Sequence, residues 1–251
     1  MIKYYSLRPL ILAGALLASS GVAMAQEPIP AGTHAPRVTR ERQYGREDPP
    51  AFDDDGGRVF LITRGRNKEL ATLEFHGGEV INQPRQVSIF LGNGWTQAGI
   101  RAREAGLSDM LAGLEGSVEG TELTRHGVSK PDQPALQFEE PWQSEQAGDV
   151  EPVISDLQVQ QVLSALIENR GIVHPDEKVV FAIFLSPELK STIGGLLGRK
   201  HYVAYHNFFH IDGAQVTYMV MPFEPNQKAA RSIASDALVR AVLNPSGNGW
   251  F

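Results

Sequence analysis

His206 and His210, four residues apart in YHNFFH, are the first side chains whose spacing suggests chemistry. On a helix that spacing would stack two imidazoles on one face; on a strand they share a face but lie about 13 Å apart. The neighbours Tyr205, Phe208 and Phe209 favour a strand. Imidazoles so far apart cannot share a zinc whose nitrogen ligands sit about 2.0 to 2.1 Å away, so each reads as a hydrogen-bonded structural histidine. His76, in FHGG, is followed by two glycines, which predicts a turn needing positive φ beside an imidazole. GGLLGRK, residues 194–200, lacks the Walker spacing and the Ser or Thr that would reach magnesium, and reads as a mobile loop between strands. Asp53, Asp54 and Asp55 lack the alternating acids and closing glutamate of a calcium loop, and read as a solvated turn. The chain has no G-x-S-x-G, no H-E-x-x-H and no G-x-G-x-x-G after a strand. No cofactor is expected from these patterns.

The elements that must position these residues follow from apolar patterning. RVFLITRG, ATLEFHGG and RQVSIFLGNGW are short, β-rich runs punctuated by glycine and predict strands. A helix is predicted around Gln97 to Leu114, and the polar stretch Gly127 to Pro152 reads as an exposed insertion. In SDLQVQQVLSALIENRG, Val159, Val162, Leu163, Leu166 and Ile167 repeat at helical spacing behind a Ser155 or Asp156 cap, and Gly171 stops the helix. KVVFAIFLSP is apolar almost throughout, the signature of a strand covered on both faces. HYVAYHNFFHID and AQVTYMVMPF predict two more strands joined at Gly213. The last helix, Asn226 to Leu243, carries Ala230, Ile233, Ala234, Ala237, Leu238 and Ala241 on one face, small enough for close approach to a sheet. Alternating strands and helices predict an α/β fold, a mixed sheet packed with helices in a single domain spanning residues 58–251.

Composition bounds the setting. Lys3 and Arg8, the apolar run Leu10 to Ala18, and Ala23-Met24-Ala25 predict a signal peptide over residues 1–25, cleaved before Gln26. That run is shorter than the roughly 20 residues of a membrane span, so no stable membrane insertion is expected after cleavage. Residues 26–57 are rich in Pro, Gly and charge and read as a flexible arm. The chain has no cysteine, which excludes disulfides and thiolate chemistry. Losing Lys3 and Arg8 with no acids moves the formal charge from −6 to −8, opposite to what a phosphate-backbone binder needs. Nucleic acid is therefore not an expected partner. The terminal Phe251 does not make an outer-membrane barrel, because the repeated alternating segments of about 10 residues are missing.

Three stretches resemble the EXORDIUM / phosphate-induced protein 1 family of secreted proteins and its bacterial relatives. FHGGEVINQPRQVSIFLGNGW resembles that family's early strand, HGG turn and next strand; VAYHNFF resembles its Gly-Tyr-His segment; LNPSGNGWF resembles its closing Gly-Asn-Gly-aromatic segment. Some bacterial relatives carry a His-Glu-x-x-Glu helix similar to that of zinc peptidases. Laid on this chain, the His falls on Asp236 and the two Glu on Ala237 and Arg240. A zinc site needs a neutral imidazole ligand and a carboxylate base, which these residues do not supply; Asp236 and Arg240 instead suit an i, i+4 surface ion pair. Missing cysteines, and Val203-Ala204 in place of Cys-Gly, depart from the plant members.

The resemblance implies an exported, non-catalytic protein that binds a glycan or protein at the cell surface, in the periplasm or outside the cell. The candidate binding residues are His206, His76, Tyr205, Asp236 and Arg240. The alternative is a secreted hydrolase, metallopeptidase-like or glycan-acting, with a non-standard site around His206, which requires a carboxylate within hydrogen-bond reach of that ring in a cleft.

Overall fold

In the computed structural model the described residues are 51–52, 58–63, 72–142, 152–173 and 178–250. The predicted signal peptide, most of the arm, the Asp53 to Asp55 run and Phe251 lie outside them.

Residues 179–185 are buried without exception, so this segment must be sandwiched. It forms β6, Val179–Leu185, in the middle of a mixed sheet. Alternate side chains feed two cores: Val180, Ala182 and Phe184 join one, and Val179, Phe181, Ile183 and Leu185 the other. On one side of β6 runs β3, Arg85–Leu91, and beyond it β4, Leu136–Glu140, both parallel. On the other side lies β10, Ala214–Met221, also parallel, then β9, Ala204–Ile211, β2, Arg58–Ile62, and β1, Ala51–Phe52, each antiparallel to its neighbour. The β9 and β10 hairpin turns at Asp212 and Gly213, whose φ values of 49° and 84° match the twist of a tight two-residue turn. A second, small sheet joins β5, Val153–Ser155, to β7, Lys190–Ile193, and β8, Leu196–Leu197. GGLLGRK thus contains a strand where a loop was predicted.

Among the longer helices, α3, Asp156–Arg170, covers one face of the main sheet. Ser155 caps it in a reciprocal capping box with Gln158, and Gly171 ends it in the left-handed region at φ 57°. The other face is covered by α4, Gln227–Leu243, capped by Asn226. Ala230, Ala234, Ala237 and Ala241 of α4 are buried against the sheet, as their size predicts. Layers of helix, sheet and helix make this an α/β fold. Among the described residues, no helix is long and apolar enough to cross a membrane.

Three further predicted elements differ. The helix expected over Gln97 to Leu114 is broken into α1, Ala98–Arg101, and short 3-10 turns at Glu104–Gly106 and Ala112–Leu114, followed by α2, Val118–Arg125. The cause lies in β3, where Gln86 and Ser88 are buried on the face that this segment covers. Gln86 Oε1 accepts from the backbone N–H groups of Met110 and Leu111, at 2.8 and 3.1 Å, while its Nε2 donates to the Leu107 carbonyl. Ser88 Oγ donates to the Ser108 carbonyl. Side chains of the strand thus take backbone groups that a continuous helix would have used itself. The predicted insertion contributes β4, an edge strand of the main sheet; its residues 143–151 lie outside the described part. Within ATLEFHGG, residues 72–78 make no strand, and Phe75 makes only an isolated bridge to Trp250.

Candidate functional site

A cleft of about 1000 Å³ opens where the parallel strands begin. One wall is residue 75 and residues 78–83, leading into β3; His126, Gly127 and Ser129 lead toward β4, Lys178 immediately precedes β6, and Gln215 and Thr217 sit at the start of β10. The chain's return after α4 completes the lining with Pro245 and Trp250. Doubly wound sheets more often take ligands at the other end, outside the strand C-termini. Here loops at that end are tied to one another: the Gly94 N–H donates to Glu188 Oε1 at 2.7 Å, Trp95 Nε1 donates to the Phe184 carbonyl at 3.0 Å, and Arg103 donates to the Glu224 carbonyl. Beside them Glu104 is only 4% exposed. Burial, with Glu139 adding and Arg101 opposing, pushes its carboxyl up to about 7.

Close backbone approach holds the cleft wall. The His76 N–H donates to the Gly249 carbonyl at 2.9 Å, Trp250 N–H to Leu243, and Ile81 N–H to Val242. A Cβ on Gly78 would lie 2.2 Å from Asn248 Oδ1, and one on Gly249 would lie 2.2 Å from the Leu243 carbonyl. Asn244, almost fully buried, accepts the Gly249 N–H on its Oδ1 at 2.8 Å and so closes the return. The rings of Phe75 and Trp250 lie 5.1 Å apart, with Phe75 54% exposed. His126 packs on the other ring contact of Trp250 at 3.9 Å. Its Nε2 lies 3.8 Å from Glu122 and makes no hydrogen bond. Burial lowers the His126 pKa; the Glu122 carboxylate opposes this and Arg125 adds to it, so the imidazole is neutral near pH 7. Polar groups complete the lining: Lys178 Nζ donates to Gln83 Oε1, and Gln215 Nε2 to Thr217 Oγ1 and the Pro245 carbonyl.

The candidate residues from the sequence do not converge there. His206 is on a strand as predicted, only 3% exposed, with its ring stacked on Phe60 at 4.8 Å and 9°. Neither of its nitrogens has a hydrogen bond of ordinary geometry, contrary to the predicted hydrogen-bonded histidine, and it lines no part of the cleft. Burial, and then the Arg240 charge, push its pKa down to about 3, with the Asn244 backbone opposing. His210 is exposed. Tyr205 points to the opposite core, beside Asp156. There the buried Asp156 carboxylate accepts from Tyr218 at 2.8 Å and from the Asn207 and Gln160 amides at 3.0 Å. Burial raises its pKa, and these donors with the Tyr205 hydroxyl oppose the rise. His76 is exposed and flanks the cleft, contributing its backbone rather than its ring to the wall.

Asp236 and Arg240 do pair, at 3.0 Å, but with side chains only 23% and 15% exposed they are half-buried rather than on an open surface. Ala237 between them is wholly buried. Asp236, Ala237 and Arg240 therefore do not fit a zinc ion: the Arg240 guanidinium already occupies the Asp236 carboxylate, and Ala237 faces the core.

Sequence reasoning missed Phe75, Trp250, His126, Lys178 and Gln215. The available signal was the paired glycines, Gly77-Gly78 and Gly247-x-Gly249, of which Gly78 and Gly249 mark places where two backbones touch. Comparisons with models of known protein families, with characterised proteins and with solved structures find no match for this chain.

Proposed function

We propose that this protein is an exported relative of the EXORDIUM / phosphate-induced protein 1 family and acts without catalysis, binding a glycan or protein outside the cytoplasm in the cleft lined by residues 75–83 and the C-terminal return. The observation that carries this reading is that two separate stretches bearing the resemblance, FHGGEVINQ and LNPSGNGW, are hydrogen-bonded to each other and together form most of the cleft wall. The third, VAYHNFF, packs beneath them: Gly247 sits against Phe60 and Phe208, and Phe60 covers His206. A resemblance carried by stretches far apart in sequence gains weight when they share one place in the fold. The ion pair and buried alanine at the zinc-peptidase positions favour binding over metal-assisted hydrolysis.

Two measurements test it. Expression of the full chain in a Gram-negative host, followed by fractionation and N-terminal sequencing, should yield extracytoplasmic protein that begins at Gln26; uncleaved chain confined to the cytoplasm overturns export. Metal analysis of that purified protein after dialysis should find no stoichiometric zinc. Retained zinc that is lost on His206→Ala would overturn the non-catalytic reading.

A further inference from the structure

We infer that the ligand of this cleft is a neutral oligosaccharide, held by aromatic faces and side-chain amides; this rests on the proposal that the cleft is the binding site. The first argument is apolar. Phe75 leaves 54% of its surface in water next to Trp250, so an aromatic face is open to a ligand in this cleft. The C–H faces of pyranose rings pack on such rings, while a sugar's hydroxyls need partners around the edge.

The second argument is polar. Asn82 and Gln83 precede β3, and Gln215 opens β10, so planar amides approach the cleft from separate segments. Gln215 gives its Nε2 donors to Thr217 and Pro245, which leaves its Oε1 as an acceptor; separate donors and acceptors of this kind suit sugar hydroxyls, which both donate and accept. Gln83 receives Lys178 on its Oε1, which leaves its N–H groups as donors.

Charge narrows the class. Glu79 and Lys178 contribute one formal charge of each sign to the lining, and they cancel. Buried His126 is neutral. A phosphate or uronate ligand would call for a surplus of cations, and an amine for a surplus of acids; neither is present in this lining. The volume of about 1000 Å³ is at the upper end of the roughly 300–1,000 Å³ of ligand pockets, enough for several sugar units.

Backbone argues against a peptide. Extended peptides add to an open strand edge and use its unpaired N–H and C=O groups. In this wall the N–H groups of His76, Ile81 and Ser129 already donate to Gly249, Val242 and Asn82.

The test titrates the purified protein with cellotetraose, chitotetraose, maltotetraose, mannotetraose and laminaritetraose, with tetragalacturonate and a pool of neutral nonapeptides as comparisons. Tryptophan emission and calorimetry report binding. At least one neutral tetrasaccharide should bind, more tightly than tetragalacturonate. Phe75→Ala should weaken that binding about three- to tenfold, and Phe75→Trp should restore it. Asn82→Ala, at an exposed position, should weaken it several-fold without moving the melting temperature. Binding that is unchanged in Phe75→Ala and Asn82→Ala overturns the inference, as does preference for tetragalacturonate. Peptide binding in place of saccharide overturns the inference while leaving the cleft as a ligand site. Silence of both panels overturns the cleft reading as well.

Discussion

His206 has no role in the cleft, yet it should govern how the fold responds to acid. Its ring is stacked on Phe60, desolvated, and near the Arg240 charge, so it stays neutral down to about pH 3. The unfolded chain takes up that proton near pH 6.5. Between those values the unfolded state binds more protons than the folded state, so stability falls as pH drops from about 6.5 toward 3. One such group contributes up to about 1.4 kcal/mol per pH unit. His126, whose pKa is also lowered, adds in the same direction. His206→Phe keeps a ring against Phe60 and removes the titration. In urea unfolding at pH 7 and pH 5, wild type should lose about 2 kcal/mol more than His206→Phe. Parallel losses in the two proteins would mean that His206 is not held neutral in the fold.

Among the elements, the return after α4 is the most exacting. It has little regular structure and depends on contacts that leave no room for a side chain. At Gly249 an added Cβ would meet the Leu243 carbonyl at 2.2 Å and the Asn244 Cα at 3.0 Å, both backbone atoms with nowhere to move. Gly249→Ala should therefore break the Trp250 N–H bond to Leu243 and release Trp250 from His126. The expected result is red-shifted tryptophan emission and rapid proteolytic trimming after residue 243, with α4 itself intact by circular dichroism. A variant with native emission and native resistance would show that the return is not packed in this way. The 98–114 segment teaches the complementary lesson. It is apolar enough to cover the sheet, but its turns are dictated by Gln86 and Ser88 on the strand below.

On the scale of the whole molecule, Asp156 joins three elements around one buried carboxylate. It starts α3, accepts Tyr218 from β10 and accepts Asn207 from β9. The N-terminal end of α3 favours the negative charge. Asp156→Ala strands a hydroxyl and an amide in the core and should cost about 3 kcal/mol or more, read as a lowered urea midpoint; Asp156→Asn should cost less. If Asp156→Ala unfolds at the wild-type midpoint, the network does not hold the layers together. The sequence by itself was enough for the α/β class, for the strand carrying His206, for β6 as a doubly covered strand and for the ends of α3, with a Ser155 or Asp156 cap and the Gly171 stop. Each of those rests on local patterns: β-rich and apolar runs, a capping residue, a stop glycine. The cleft was beyond such patterns, because Phe75, His126, Lys178, Gln215 and Trp250 come from five separate segments and none is unusual in its own neighbourhood. The broken 98–114 segment was hidden for the same reason, since its conformation is settled by hydrogen bonds to β3, 20 to 25 residues earlier. Only the tertiary structure decides such features, because the energies that favour them come from groups distant in sequence that meet after the sheet has formed.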